Sequence, residues 1–134
     1  LFRSCHLEAL ANTSSLATQA QSAVNIPVKI PLIGNKLDLA YFWQSWLNYH
    51  ASVADKAFAF HYALAQGFAE LATNQARKYR CRTIVLSGGV MHNQLLRRLL
   101  KENLSELHVL SAHKLPMGDG GLSLGQAVIA MHRN

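Results

Sequence analysis

The chain has 134 residues, half of them apolar and 15% charged, which is the balance of a single folded domain and not of a disordered segment. Its two cysteines, Cys5 and Cys81, form no C-x-x-C pair, so a disulfide scaffold and a cysteine zinc site are excluded and a reducing, cytoplasmic location is expected. An apolar run of about 18 residues is missing, which excludes a membrane-spanning helix. Because the sequence begins at Leu1 without an initiator Met or a signal-peptide pattern, we expect it to be a piece of a longer protein.

Thirteen Lys and Arg against seven Asp and Glu give a formal net charge of +6, which raises the question of an anionic partner. The basic residues fall mainly at positions 77–82 and 97–101, and only Tyr79 stands among them as an aromatic residue. A solvated helix end is therefore favoured over a nucleic-acid surface. A basic module that binds RNA or protein without catalysis stays an alternative.

The first 50 residues predict helices and a connection. Positions 7–24 are rich in Ala, Gln, Leu and Ser and lack Pro and Gly, which predicts a helix despite a polar run at 12–15. Positions 25–38 contain prolines and a glycine, and a connection is the favoured interpretation. A short edge strand before a turn is the alternative, because apolar residues alternate there: Val28, Ile30 and Leu32. The aromatic-rich segment 39–47 predicts a short helix lying on the core.

The strongest helical pattern runs from Ser52 to Tyr79. Ser52 with Asp55 three residues later resembles a capping box. Apolar positions then recur at spacings of three and four and predict one buried face, formed by Phe58, His61, Leu64, Ala65, Phe68, Leu71, Ala72 and Ala76. For His61 on this face, a hydrogen-bonded core histidine is favoured over a metal ligand or a catalytic base.

The last 50 residues have the order β-α-β-α. Thr83 to Leu86 is an apolar, β-branched run typical of a parallel strand buried on both faces. A helix is predicted from Met91 to Asn103, a second strand from Leu107 to Leu110, and a last helix from Asp119 to Met131. Right-handed crossover connections then predict an open α/β sheet in which the two strands are parallel neighbours.

Two glycine motifs in this half have chemical content. In Ser87-Gly88-Gly89, the carboxyl end of a strand passes through two glycines into a helix. Ligands bind at such strand ends in α/β sheets, glycines let backbone N–H groups approach them, and a helix N-terminus favours phosphate. A tight turn without a ligand is an equally good interpretation of this motif by itself.

The second motif surrounds Asp119 with Gly118, Gly120 and Gly121. Asp119 stands where a helix cap is expected, and a cap alone is one interpretation. Three glycines are costly at a helix start unless something approaches closely. We therefore favour a carboxylate that holds a divalent metal next to a phosphate.

The run from Leu86 to Leu96, followed by the run from Gly118 to Ala127, resembles the C-terminal end of the HypF family of hydrogenase maturation carbamoyltransferases. The resemblance covers roughly residues 53–132, and residues 1–50 match only loosely. More distantly, the layout resembles TsaD-type proteins that modify tRNA and antibiotic O-carbamoyltransferases. It implies an α/β lobe of the actin-like, ribonuclease H-like ATPase fold, with a mixed sheet and flanking helices. Residues 1–52 would be peripheral helices and a connection, and residues 53–134 the nucleotide-site half of a single domain.

HypF proteins use carbamoyl phosphate and ATP to make carbamoyl adenylate in a separate domain, and they pass the carbamoyl group to the C-terminal cysteine of a partner, HypE. The resemblance implies that the nucleotide is contacted by Ser87, Gly88, Gly89 and Asn93. It also implies an adjoining phosphate-side turn at Gly120 and Gly121, and a divalent metal, iron or zinc, bound by Asp119. A nucleic-acid or membrane partner is not implied.

The chain also departs from the family pattern. The family's metal site needs two histidines four residues apart on an earlier helix, and none of the seven histidines here form such a pair. The adenylate-forming domain, the acylphosphatase-like domain and the zinc-finger cysteines are not in this sequence either. We therefore expect one lobe of a carbamoyltransferase with an incomplete metal site and no activity in isolation, and we assign no catalytic residue. A lobe of an O-carbamoyltransferase of the same fold is the alternative enzyme.

Overall fold

The computed structural model describes residues 4–19, 25–112 and 119–132. Within these ranges the helices and strands are α1 (Ser4–Asn12), α2 (Ser15–Gln19), β1 (Leu32–Ile33), β2 (Lys36–Leu37), α3 (Leu39–Leu47), α4 (Val53–Lys78), β3 (Thr83–Leu86), α5 (Gln94–Asn103), β4 (His108–Ser111) and α6 (Leu122–Met131). Two 3₁₀ turns, Gly89–His92 and Asp119–Gly121, precede α5 and α6. Of the helices in the described ranges, none has both the length and the apolar character needed to cross a membrane.

Helix α4 is the longest element, and much of the core packs on it. It begins after Ser52, whose Oγ accepts a hydrogen bond from the Asp55 N–H at 3.1 Å and donates one to Asp55 Oδ2 at 2.7 Å. It ends at Lys78, with Tyr79 as its C-cap. The helix predicted from Ser52 to Tyr79 and its capping-box-like start are confirmed.

Apolar residues pack on two faces of α4. The first face packs against α1, α5 and β3, and the buried residues of this cluster are Ala11, Ala57, Phe58, Ala65, Leu86, Leu95, Leu96, Leu99 and Leu100. The second face packs against α3 and the segment before β1, burying Val28, Ile30, Phe42, Ala59 and Ala63. The prediction gave α4 one buried face, whereas the structure buries two. The predicted member Phe68 is 48% exposed, because it belongs to neither of these two clusters.

The prediction of one continuous helix over positions 7–24 is wrong, because the described part of this segment forms two helices. Helix α1 ends at Asn12 and α2 begins at Ser15. Between them Ser14 is buried, donates a hydrogen bond from Oγ to Asp55 Oδ1, and accepts one from the Leu16 N–H at 3.1 Å. A serine side chain that bonds nearby backbone competes with helical hydrogen bonds, which accounts for the break. Positions 20–24 lie outside the described residues.

The connection favoured for positions 25–38 is confirmed for residues 25–31, and the alternative edge strand through Val28, Ile30 and Leu32 forms only at its end. Strands β1 and β2 form a two-stranded antiparallel hairpin in which Leu32 pairs with Leu37. Val28 and Ile30 are buried but lie outside any strand, so their alternation reflects contact with α4 and not sheet pairing. Helix α3 spans the predicted positions 39–47.

Strands β3 and β4 are parallel neighbours, with Thr83 opposite His108 and Leu86 opposite Ser111, as predicted from the β-α-β order. The prediction that β3 is buried on both faces is wrong. Val85 is 66% exposed and Leu110 on β4 is 44% exposed, because the described helices cover only the other face of this sheet. The apolar α6 is exposed along its length. The division of the chain at residues 52 and 53 stays a prediction.

Candidate functional site

The first glycine motif forms a turn that only glycine adopts readily. Strand β3 ends at Leu86, Ser87 is exposed, and Gly88 has φ 100° and ψ 159°. This combination lies in a region essentially restricted to glycine. The Gly88 carbonyl then accepts a hydrogen bond from the Met91 N–H at 3.0 Å, which closes the turn into the 3₁₀ segment.

The described residues leave the outer side of this turn uncovered. A Cβ added at Gly88 or Gly89 would meet no described atom within 4 Å, so packing among the described residues does not require the absence of a side chain at Gly89. Within the part of the chain that the structure describes, neither glycine N–H donates a hydrogen bond to a carbonyl. Two backbone donors are therefore available to a ligand that approaches from this side.

A cavity of about 160 Å³ adjoins the turn and is lined by Cys5, Glu8, Gly89, Val90, His92 and Asn93. It brings two of the predicted nucleotide residues, Gly89 and Asn93, next to α1. The described residues of the second glycine motif do not line this cavity. A larger cavity of about 860 Å³ elsewhere on α4 is likewise lined by no described residue of either motif.

The helix N-terminus after the turn is already capped. The helix predicted from Met91 is a 3₁₀ turn followed by α5, which begins at Gln94 with Asn93 as its N-cap. The Leu96 N–H donates to Asn93 Oδ1 at 2.8 Å, and the Leu95 N–H donates to Glu8 Oε1 at 3.0 Å. These side chains occupy the second and third N–H groups of α5, so those two groups are not free to bind a phosphate, and the glycine amides are donors that remain on this side of the helix.

His61 lies directly behind this cap. It is 2% exposed, its Nδ1 is 2.8 Å from the Ala57 carbonyl oxygen, and its Nε2 is 2.8 Å from Asn93 Nδ2. Burial lowers the pKa of His61, although the Ala57 hydrogen bond and the charge of Glu8 act in the opposite direction. His61 is therefore the hydrogen-bonded core histidine that the sequence predicted.

The second glycine motif is described only from Asp119 onwards, and Gly118 lies outside the described residues. The N-cap residue of α6 is Gly121, and Asp119 begins the 3₁₀ turn that precedes the helix. Gly120 is exposed and Gly121 is half-buried. Among the described residues, no three His, Cys, Asp or Glu side chains are grouped as a metal site.

The basic cluster at positions 77–82 lies where α4 ends and β3 begins, at the end of β3 away from the glycine turn. Lys78 Nζ lies 5.4 Å from the centroid of the Tyr79 ring, so a cation already occupies one face of the aromatic residue that could stack on a base. In the second cluster, Arg98 pairs with Glu102 at 3.8 Å. These contacts favour the solvated-surface interpretation of both clusters.

Sequence reasoning missed Glu8 as a neighbour of the glycine turn. Glu8 lies 87 positions before Leu95, and a single acidic residue on a short helix carries no local signal of such a contact. A negatively charged side chain is favourable at a helix N-terminus. A carboxylate near the start of α5 could therefore be predicted, but which residue supplies it could not.

Comparison with known proteins gives a consistent family assignment. Residues 3–126 match the profile of the family described as carbamoyltransferase, Kae1-like domain, second subdomain. The chain is 32% identical over 102 residues to carbamoyltransferase HypF of Rhodobacter capsulatus and 34% identical over 102 residues to carbamoyltransferase HypF2 of Cupriavidus necator, each match covering 75% of this chain.

The fold has a counterpart among solved structures. The crystal structure of T. kodakarensis HypF matches 95% of this chain with a TM-score of 0.79 and 27% identity, which confirms the predicted α/β lobe. This chain spans only 14%, 12% and 16% of the lengths of these three proteins. The resemblance recognised in the two glycine motifs is thereby confirmed: the chain belongs to the HypF carbamoyltransferase family, as the second subdomain of the Kae1-like domain.

Proposed function

We propose that this chain supplies one wall of the nucleotide site of a HypF-type carbamoyltransferase, which transfers a carbamoyl group from carbamoyl adenylate to the C-terminal cysteine of a HypE-type acceptor. The observation that carries the proposal is the Gly88-Gly89 turn. Its backbone is held at a glycine-only conformation, and its outer side is open to a ligand. The family membership supports carbamoyl transfer as the reaction of the whole protein.

In this transfer the acceptor's thiolate sulfur attacks the carbonyl carbon of carbamoyl adenylate. The S–C bond forms while the bond from that carbon to the phosphate oxygen breaks, so AMP leaves with the electron pair and the thiol proton passes to solvent. Gly88 and Gly89 would donate their N–H groups to phosphate oxygens of the adenylate. Fixed donors of this kind hold the leaving group in place and stabilise the charge that develops on it.

The rest of the site would come partly from outside this chain and partly from its second glycine motif. We propose that ATP and carbamoyl phosphate enter through further domains of the parent protein, that Gly120 and Gly121 adjoin the phosphates, and that the reaction takes place in the cytoplasm. Asp119 is the proposed ligand of a divalent metal, iron or zinc. Because the described residues do not form a metal site, no step of the transfer is assigned to the metal.

The two glycines allow a matched test in the full-length parent. Gly89→Ala adds a Cβ in open space at a residue without a positive φ, so it should leave the melting temperature unchanged while lowering carbamoyl transfer by an order of magnitude, since the methyl group occupies the ligand's side of the turn. Gly88→Val should abolish transfer, because a β-branched residue also opposes the positive φ.

Transfer is measured as the mass increase of the purified acceptor on its C-terminal cysteine. A matched control is Gly34→Ala, which has φ 62° in the hairpin and open space around it, and should lose some stability but keep its transfer rate. If Gly89→Ala folded and transferred at the wild-type rate, the glycine turn would not be the nucleotide-binding element.

A further inference from the structure

His61 and Asn93 are the middle members of a hydrogen-bond chain that joins the interior of α4 to the glycine turn. The chain runs from the Ala57 carbonyl through His61 and the Asn93 side chain to the Leu96 N–H, with the three links at 2.8 Å each. His61 is buried and Asn93 is half-buried. Asn93 therefore has the protein interior on one side and the cavity beside Gly89 on the other.

The Ala57 carbonyl determines which atom is the donor and which is the acceptor in each of these hydrogen bonds. A carbonyl oxygen only accepts, so Nδ1 of His61 must carry the proton and donate to Ala57. With burial holding the pKa of His61 below its usual value, the imidazole is neutral and Nε2 is an acceptor. Asn93 must then present its Nδ2 to His61, which places Oδ1 towards the Leu96 N–H.

This arrangement leaves one N–H of Asn93 Nδ2 without a hydrogen-bond partner among the described residues. If Asn93 were rotated by 180° about its last side-chain bond, Oδ1 would face the lone pair of His61 Nε2 and the cap of α5 would be lost. The imidazole and the Leu96 N–H together fix which edge of the amide faces the cavity.

We propose that His61 is a positioning residue of the nucleotide site, which fixes the Asn93 amide so that an N–H, and not the carbonyl oxygen, faces the ligand beside Gly89. This rests on the function proposed above. The ligand group is correspondingly an acceptor, such as a ring nitrogen, a ribose oxygen or a phosphate oxygen of a nucleotide. His61 itself touches no ligand.

The side chain at position 61 must provide a donor at one end and an acceptor at the other. His61→Leu removes both while keeping a similar volume. His61→Gln retains an amide that can donate to Ala57 and accept from Asn93, and His61→Asn has the same group one methylene shorter. Gln66→Leu is a matched control, because it removes a 2.9 Å side-chain hydrogen bond to Tyr62 on the same helix, away from Asn93.

Nucleotide binding is measured in the intact protein with 8-azido-ATP as the photoaffinity probe. Trypsin cleaves after Arg82 and after Arg97 and releases residues 83–97, so labelling of this one peptide reports the glycine turn separately from any other nucleotide site. We expect the half-saturation concentration to rise on the order of tenfold in His61→Leu, the equivalent of one hydrogen bond. It should stay within about threefold of wild type in His61→Gln and be unchanged in Gln66→Leu. Melting temperatures are recorded for all variants.

The outcomes separate the two proposals. If the wild-type peptide 83–97 shows no saturable labelling, the nucleotide function is overturned and the positioning role with it. If the wild type is labelled and a folded His61→Leu has the same half-saturation, the positioning role alone is overturned. If His61→Leu does not fold, His61→Gln and His61→Asn decide, because the role requires weaker labelling in His61→Asn and equal labelling of the two overturns it.

Discussion

The carboxylate of Glu8 accepts a hydrogen bond from the backbone N–H of Leu95 at 3.0 Å, although the two residues are 87 positions apart. This bond joins α1 to the first turn of α5, next to the Asn93 cap. A negative charge at a helix N-terminus also interacts favourably with the helix dipole. Glu8 therefore fastens the N-terminal helix to the segment that carries the glycine turn.

Replacing Glu8 tests this link. Glu8→Ala should lower the free energy of unfolding by about 1–2 kcal/mol, because it leaves a part-buried N–H without its partner and removes the charge at the helix end. Glu8→Gln keeps an acceptor without the charge and should lose less. Urea unfolding gives the values. Glu70→Ala removes an exposed carboxylate from α4 and serves as control, and equal losses for Glu8→Ala and Glu70→Ala would contradict the capping role.

Arg80 offers a stabilising substitution. It has φ 53° and is the left-handed residue of a Schellman motif, in which the Cys81 N–H donates to the Ala76 carbonyl at 2.8 Å and the Arg80 N–H donates to the Arg77 carbonyl at 3.2 Å. Glycine is usual at this position because a Cβ is disfavoured there. Arg80→Gly should raise the free energy of unfolding by about 0.5–1 kcal/mol.

The control for this prediction is Arg80→Ala, which removes the same positive charge but keeps the Cβ. It should give no gain in the urea midpoint. A gain of the same size in both variants would mean that relief of repulsion within the basic cluster, and not the backbone conformation, limits stability at this position.

The elements predicted best from the sequence are those whose signals are local. Helix α4 has a capping residue at Ser52 and a long apolar periodicity, and β3 has a compact β-branched run, so both were located from the sequence. The glycine turn could also be identified from the sequence. Two consecutive glycines after a strand indicate a backbone conformation that other residues disfavour, and Gly88 has such a conformation, with a positive φ.

The features that were not predictable depend on contacts between distant segments. At the break in the first helix, the Ser14 side chain that accepts from the Leu16 N–H is also bonded to Asp55, 41 positions later. An added Cβ at Gly67 would lie 3.0 Å from Ile30 Cβ, a close approach that periodicity does not reveal. Val85 was predicted to be buried but is exposed. The apolar composition of β3 is typical of a strand covered on both faces, and the described residues cover only one face.

The stability of the fold should depend on pH through His61. Burial lowers its folded-state pKa below the value of 6.5 expected in the unfolded chain. Below pH 6.5 the unfolded chain therefore binds more protons, and the free energy of unfolding falls with falling pH until the folded-state pKa is reached. Above pH 6.5 His61 makes no pH-dependent contribution.

Comparison with His61→Gln isolates this effect, because the exposed histidines titrate in both proteins. The difference in unfolding free energy between wild type and variant should be constant above pH 6.5 and should shift in favour of His61→Gln below it. Parallel pH profiles would contradict a depressed pKa.

Asp55, whose pKa is lowered by hydrogen bonds from Ser14 and Ser52, stabilises the fold at higher pH and loses its contribution only as pH falls below about 4.

The last prediction concerns Asp119. In the full-length parent, Asp119→Asn should lower metal content and carbamoyl transfer together, because a neutral amide oxygen is a weaker ligand for a divalent cation than a carboxylate. Stability should change little, since the N-cap of α6 is Gly121. Metal analysis, the acceptor mass assay and thermal melting are made on the same preparation. Asp38→Asn is the matched control, because Asp38 caps α3 through the Tyr41 N–H at 3.0 Å and asparagine caps equally well.

The 134-residue chain by itself should bind iron or zinc weakly, because a single carboxylate with backbone groups provides too few ligands to hold such a metal tightly. Titration calorimetry on the purified chain measures this directly. Stoichiometric binding at micromolar metal that disappears in Asp119→Asn would mean that the chain holds a complete site of its own. Unchanged metal content in the full-length Asp119→Asn protein would instead remove Asp119 from the metal site, and a fall in transfer without loss of metal would assign its carboxylate to the substrate.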